Sequence, residues 1–262
     1  MDEVEERLKC KYELEYYDHF SSEIKIFKCD EDAVKDGYCI FHHPEYWKEH
    51  RDEVIEKFMS KVEDAIKNKK ELLCIGYNLP EIVLLQKKFA MPVYFNHAVF
   101  HEKAYFPIVE FSDYTDFTEA KFSEAAFIGT KFSEADFTEA KFSKHAIFKG
   151  AEFSKANFTK VEFSEYAFFT EAKFSEYAIF NETKFSDATF NRAEFFDATF
   201  DGAEFSKASF TGAEFSRASF RGAKFSDYAF FNVAKFLEER FLIFQLFSGK
   251  WSLKIQIFHL IC

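Results

Sequence analysis

The chain has 262 residues, 40 of them Phe, with 45 acidic and 34 basic residues and a formal net charge of −11. That length suits one repeat array plus a small module, and an acidic but mixed surface argues against nucleic acid as a partner. Five cysteines, an odd number, no signal sequence and no apolar run long enough to span a bilayer point to a reducing cytoplasm and away from membranes.

Residues 1–73 form an N-terminal module with its own composition. It carries three cysteines and a histidine, Cys10, Cys29, Cys39 and His42, with His43 as an alternative fourth ligand. Cys39 and His42 are three residues apart, close enough to share one ion. Three thiolates and an imidazole suit a structural Zn²⁺, which could hold together a segment too small for its own core. The spacing departs from paired C-x-x-C knuckles, so buried free thiols remain the other reading. From 44 to 70 the apolar residues Trp47, Val54, Ile55, Phe58, Val62, Ala65 and Ile66 recur at helical spacing, with Pro44 placed to open a helix. That stripe reads as core.

From Phe95 to Phe236 Phe recurs every five or six residues, 28 times without a miss. Two residues before most of them sits Ala, otherwise Val or Thr. A period of five fits neither helix nor strand. It fits a coil that turns a corner after each pentad, four sides making a turn of about twenty residues, within the range of solenoid repeats. The Phe fills the coil, the small residue leaves room for the rings, and the rings should stack at the strand spacing of about 4.8 Å. Upstream, Cys74, Leu79, Leu84 and Phe89 keep the phase, so 74–92 reads as a degenerate first coil.

The stretch ADFTEAKFSKHAIFKGAEFSKANFTKVEFS resembles the pentapeptide-repeat family in its Phe-centred form. The resemblance covers residues 93–236. It implies a mainly β protein, a right-handed quadrilateral β-helix of about seven to eight coils, here with a small α-containing N-terminal module and a C-terminal cap. Family members are mostly binding or structural proteins, and some resemble duplex DNA and act on DNA gyrase. The fold by itself chooses no role.

The finer unit is a decapeptide. Sides ending in Phe95, Phe106, Phe117 and so on are called odd, the others even. Gly129, Gly150, Gly202, Gly212 and Gly222 all fall in corners leading to even sides, which implies a turn needing φ > 0 there. Six of the 27 gaps are six residues long, and the added residue is Lys103, Tyr114, His145, Tyr166, Tyr177 or Tyr228, always on an odd side. These read as corner bulges, either solvated or forming a contact ridge. Outward positions on even sides are charged and should pair up the stack. One odd side instead carries Tyr94, Asp116, Asp136 and Asn157, the other Tyr105, Ala126, Ile147 and Phe168. Ala126, Ile147 and Phe168, flanked by His145 and Tyr166, form a candidate protein-contact strip. The chain's own flanks are the other possible cover.

Residues 237–262 read as a cap or a homodimer contact, because an open solenoid end is a sheet edge. Leu237, Phe241, Leu242 and Phe244 could line one helix face there. No catalytic constellation and no nucleotide loop is present in the sequence. The reading is therefore a non-enzymatic interaction or structural scaffold with a protein partner. The alternative is a DNA mimic acting on a gyrase-type topoisomerase, which requires a continuous negative surface.

Overall fold

In the computed structural model, which describes residues 8–19, 21–237, 250–252 and 255–257, the ladder closes into a β-solenoid of stacked parallel strands. Two long sheets run the length of the stack, the longer strands bending from an even side onto the odd side that follows. All 28 Phe from Phe95 to Phe236 are buried. They form four columns. Phe137, Phe158 and Phe180 stack face to face at 4.9 and 4.8 Å, and Phe142 over Phe163 at 4.9 Å, as the strand spacing requires. Rings of neighbouring columns meet edge to face, as Phe158 and Phe169 do at 5.7 Å and 87°. Ala mostly fills the second inward position, and at two of the three places where Thr replaces it the hydroxyl bonds a carbonyl. Thr183 Oγ1 donates to Phe158 O at 2.5 Å, and Thr130 Oγ1 to Phe106 O at 2.5 Å.

The corners explain the glycines. After every odd-side Phe from Phe95 to Phe231, the second residue has positive φ. Five of these positions are Gly, and nine are other residues, among them Glu139, Lys160 and Glu171. A non-Gly residue there costs roughly 1–2 kcal/mol. The repeat tolerates it because the two flanking coils fix the same turn by hydrogen bonds, as where Lys160 N–H donates to Asn181 O at 2.9 Å. The same feature at Gly76 and Gln86, two residues after Cys74 and Leu84, places 74–92 in the stack as a coil.

The six-residue units are bulges. Where a longer unit pairs with a five-residue one the register slips, so that Tyr177 lies opposite Lys155 and Tyr228 opposite Lys207. Tyr166 and Tyr177 stand exposed. Tyr114 differs, being buried under the N-terminal module with its ring stacked 4.1 Å from that of His19.

The module contains an antiparallel hairpin, β1 (Glu13–Asp18) with β2 (Glu23–Lys28), and two helices, α1 (Tyr46–Glu49) and α2 (Arg51–Asn68). The sequence suggests one helix over 44–70. The chain instead breaks at His50, whose φ of −124° and ψ of 38° are not helical and whose ring stacks on Tyr46 at 4.1 Å. The break lets Arg51 reach Glu81 and Glu102 on the first two coils, at 3.1 and 2.7 Å. Val54, Phe58, Val62 and Ala65 of α2 are buried in one core with the Phe ladder, Phe58 6.3 Å from Phe95. The helix thus plugs the open N-terminal end of the solenoid. At the other end, 250–252 and 255–257 add parallel strands to 228–230 and 234–236, continuing both sheets. The expected helix face at Phe241, Leu242 and Phe244 lies outside the described residues. Among those described, no helix is long and apolar enough to cross a membrane.

Candidate functional site

Two places gather chemistry that the coil itself does not need. The first is an odd face. Parallel register sets Tyr105, Ala126, Ile147, Phe168 and Thr189 in one column. At its corner the rings of His145 and Tyr166 stack at 5.3 Å, with Phe168 6.0 Å from Tyr166. Tyr166 is exposed, and His145, Ile147 and Phe168 are half-buried. Ala126 is buried between its larger neighbours and offers almost no area of its own. The face extends further up the stack than the ladder suggests, to Val83, Leu85 and Ile108, which are 46, 55 and 57% exposed. Val83 and Leu85 flank Leu84 in the degenerate coil, so extending the outward positions through that coil would have found them.

The even faces contrast with it. Lys131 pairs with Glu152 at 2.8 Å, Lys173 with Glu194 at 3.2 Å, and Lys224 with Glu204 at 2.8 Å. Like charges meet at Glu194 over Glu214 and Lys121 over Lys141. The other odd face is covered over its first coils, while Tyr177 lower on it stays exposed. The hairpin lies over those coils, with Tyr94 Oη donating to the buried Asp18 at 3.2 Å and Tyr16 edge-on to Tyr94 at 5.5 Å. His19 lies 3.8 Å from Glu134.

The second place is in the module. Cys10 precedes β1 and Cys29 follows β2, so strand pairing brings the two open ends of the hairpin together. Cys29 N–H donates to Tyr12 O at 3.0 Å. Cys39 and His42 span one turn, closed by His42 N–H to Cys39 O at 3.2 Å. The outcome is four buried ligand atoms, all within 4.8 Å of one another. Cys29 Sγ is 3.7 Å from Cys39 Sγ, and His42 Nδ1 is 3.2 Å from Cys39 Sγ and 3.5 Å from Cys10 Sγ. His43 turns elsewhere, its ring 3.3 Å from Asp36. A hydrogen bond from Cys29 and then the His42 ring hold the Cys39 thiol far below the usual range, while the Cys29 thiol is pushed up as the donor to Cys39. Tyr12 lies flat on His42, centroids 3.9 Å apart. Its hydroxyl occupies the space a Cβ would take on Gly76.

Comparison with known proteins places the repeat. Two sequence profiles described as pentapeptide repeats match, one over residues 144–175 and 188–227, the other over 109–152. No curated protein sequence matches the chain. Among solved structures, HetL, a pentapeptide repeat protein involved in heterocyst differentiation regulation in a Nostoc cyanobacterium, is 17% identical. The match covers 73% of this chain and 89% of HetL, with a TM-score of 0.33. A trypsin-treated variant of QnrB1, a plasmid-mediated fluoroquinolone resistance protein, is 17% identical over 67% of this chain and 92% of its own, with a TM-score of 0.32. Full-length QnrB1 is 16% identical over 67% of this chain and 93% of its own, with a TM-score of 0.25. Scores this low say nothing of role. The matched profiles and the coil they describe identify residues 109–175 and 188–227 as pentapeptide repeats.

Proposed function

We propose that this protein is a non-enzymatic scaffold that holds a protein partner on the odd face of Ile147 and Phe168. The observation that carries the reading is the apolar column from Val83 and Ile108 to Tyr166 that the described residues leave uncovered. Apolar area left in water forgoes roughly 25 cal/mol per Å², and contiguous patches of this kind on soluble proteins mark contact surfaces. The described part of the N-terminal module lies over the opposite odd face and leaves this one open. The matching surface on the partner is apolar and accepts protruding aromatic rings, Tyr166 above all.

Charge mimicry of DNA fits less well. It needs an unbroken acidic stripe, whereas lysines interrupt the glutamates along both even columns and neutralise most of them locally. Exposed pairs of this kind add only about 0–1 kcal/mol each, so their office is register more than stability.

The double substitution Ile147→Lys with Phe168→Lys tests the reading. Partner recovery from native lysate, or self-association in sedimentation, should fall at least tenfold while the melting temperature holds. Reversal of Glu152 and Glu194 together should change neither by more than twofold. Equal recovery for the double lysine protein and the parent would refute the contact face, and a larger loss on the glutamate reversal would favour charge mimicry.

A further inference from the structure

We propose that Cys10, Cys29, Cys39 and His42 bind one Zn²⁺ that clasps the N-terminal module onto the first coil. Tetrahedral zinc with Zn–S of about 2.3 Å and Zn–N of about 2.05 Å has S–S edges of about 3.8 Å and S–N edges of about 3.6 Å. The Cys29–Cys39 separation of 3.7 Å and the Cys10–His42 separation of 3.5 Å lie within about 0.1 Å of those edges, and the Cys39–His42 separation of 3.2 Å is shorter than its edge. Donor chemistry agrees, since three thiolates with one imidazole select zinc over the hard cations that prefer oxygen.

The fourth ligand is already oriented. His42 Nε2 lies 2.9 Å from the carbonyl oxygen of Ile75, so Nε2–H donates there and leaves the Nδ1 lone pair facing the thiols. A metal-binding histidine generally fixes its tautomer through such an outer bond. Here the outer bond also crosses from the module to the solenoid. Ile75 belongs to the first coil, where Gly76 gives Tyr12 room to cover the His42 ring. One ion would therefore join the two ends of the hairpin, the turn at 39–42 and the edge of the solenoid.

That placement gives the ion a task. Hairpin residues Tyr16, Asp18 and His19 cover Tyr94 and Tyr114. Much of the outer side of β2 is exposed, with Ile24 and Ile26 open to solvent, so the hairpin has little core of its own. Holding both its ends at the cluster fixes it over that face. Loss of the ion frees the hairpin and uncovers the tyrosines.

The test uses the whole protein, expressed with zinc, purified under reducing conditions without chelator and weighed for metal. About one zinc per chain is expected, released by a mercurial thiol reagent as the thiols react. Cobalt in its place should give the thiolate-to-metal and ligand-field absorption of a tetrahedral site. Cys39→Ser should bind at least tenfold less metal, while Cys74→Ser, a buried thiol outside the cluster, keeps its full complement. Should Cys39→Ser fail to fold, the mercurial release on the parent still reads the site. The clasp is read by hydrogen exchange. Metal removal should speed exchange at least tenfold in 13–28 and leave 121–225 unchanged. Protein that carries no zinc and takes up none, or a Cys29–Cys39 disulfide by mass spectrometry with added reductant, would overturn the site. Unchanged exchange in 13–28 after complete metal removal would overturn the clasp.

Discussion

Asp116 sits where later coils carry Asn157, Thr199 or Ser219, and it is buried. Burial raises its pKa to about 7, against the hydrogen bond from Thr118 N–H. The unfolded chain would titrate it at about 3.9. Between those values the folded protein keeps a proton that the unfolded chain has released. The stability this confers is full below about pH 4 and is lost as pH rises through about 7. The proton has a place to go. Lower in the stack, Asn181 Oδ1 accepts the hydroxyl of Thr199 and Asn191 Oδ1 that of Ser209, each at 2.6 Å. Asn96 stands in that relation to Asp116, and its buried Oδ1 lacks a donor among the described residues. We predict that Asp116→Asn stabilises the protein at pH 8 by about 1–3 kcal/mol, since a carboxylate no longer has to be buried, and by much less at pH 5. Urea unfolding of both proteins at the two pH values measures this, and a gain equal at both would count against the buried proton. None of this is legible in the sequence, where Asp116 is one more outward polar residue. Only its burial in the folded chain makes it unusual.

At the scale of elements, the ladder and its bulges obey different rules. The Phe158 ring stacks between Phe137 and Phe180 and meets Phe148 and Phe169 edge to face. Phe158→Ala should cost about 3–5 kcal/mol, because the rings around the cavity are held by their own columns and cannot collapse into it. Deleting Tyr177 removes a bulge that the neighbouring five-residue coils do without, and should shift stability by less than about 1 kcal/mol. Thermal melts of the two proteins compare them directly. A Tyr177 deletion as damaging as Phe158→Ala would mean that the bulges carry structure. The six-residue spacing was readable, because one extra residue shifts the phase of five. The fate of each bulge was not: Tyr166 and Tyr177 stay exposed, whereas Tyr114 stacks under His19, a residue 95 positions away in sequence.

For the whole molecule, the ends matter most. A stack of parallel coils exposes unpaired backbone at its first and last turns, which invites end-to-end association. Here α2 closes one end by merging its apolar face with the ladder's core. Phe58→Asp places a charge at a fully buried position 6.3 Å from Phe95. It should undock the helix and raise self-association in sedimentation velocity, while the β signal in circular dichroism largely remains. A monomer with an unchanged melt would show that α2 is not the plug.

Sequence by itself determined the solenoid, its phase, its inward set and its register, because every coil repeats one local rule. The pairs Ala126–Ile147 and Ile147–Phe168 follow from counting alone. The positive-φ corners were announced by five glycines and hold at nine other residues for the same geometric reason. Tertiary structure decided what no period encodes. The cluster of Cys10, Cys29, Cys39 and His42 is irregular in spacing because a hairpin, not a loop of fixed length, closes the distance between Cys10 and Cys29. Both odd faces are outward columns in the sequence, yet the first coils of one lie under the hairpin, while the described residues leave the other open. That choice depends on the path of a single non-repeating segment, and contacts between a repeat and a segment outside it leave no periodic mark.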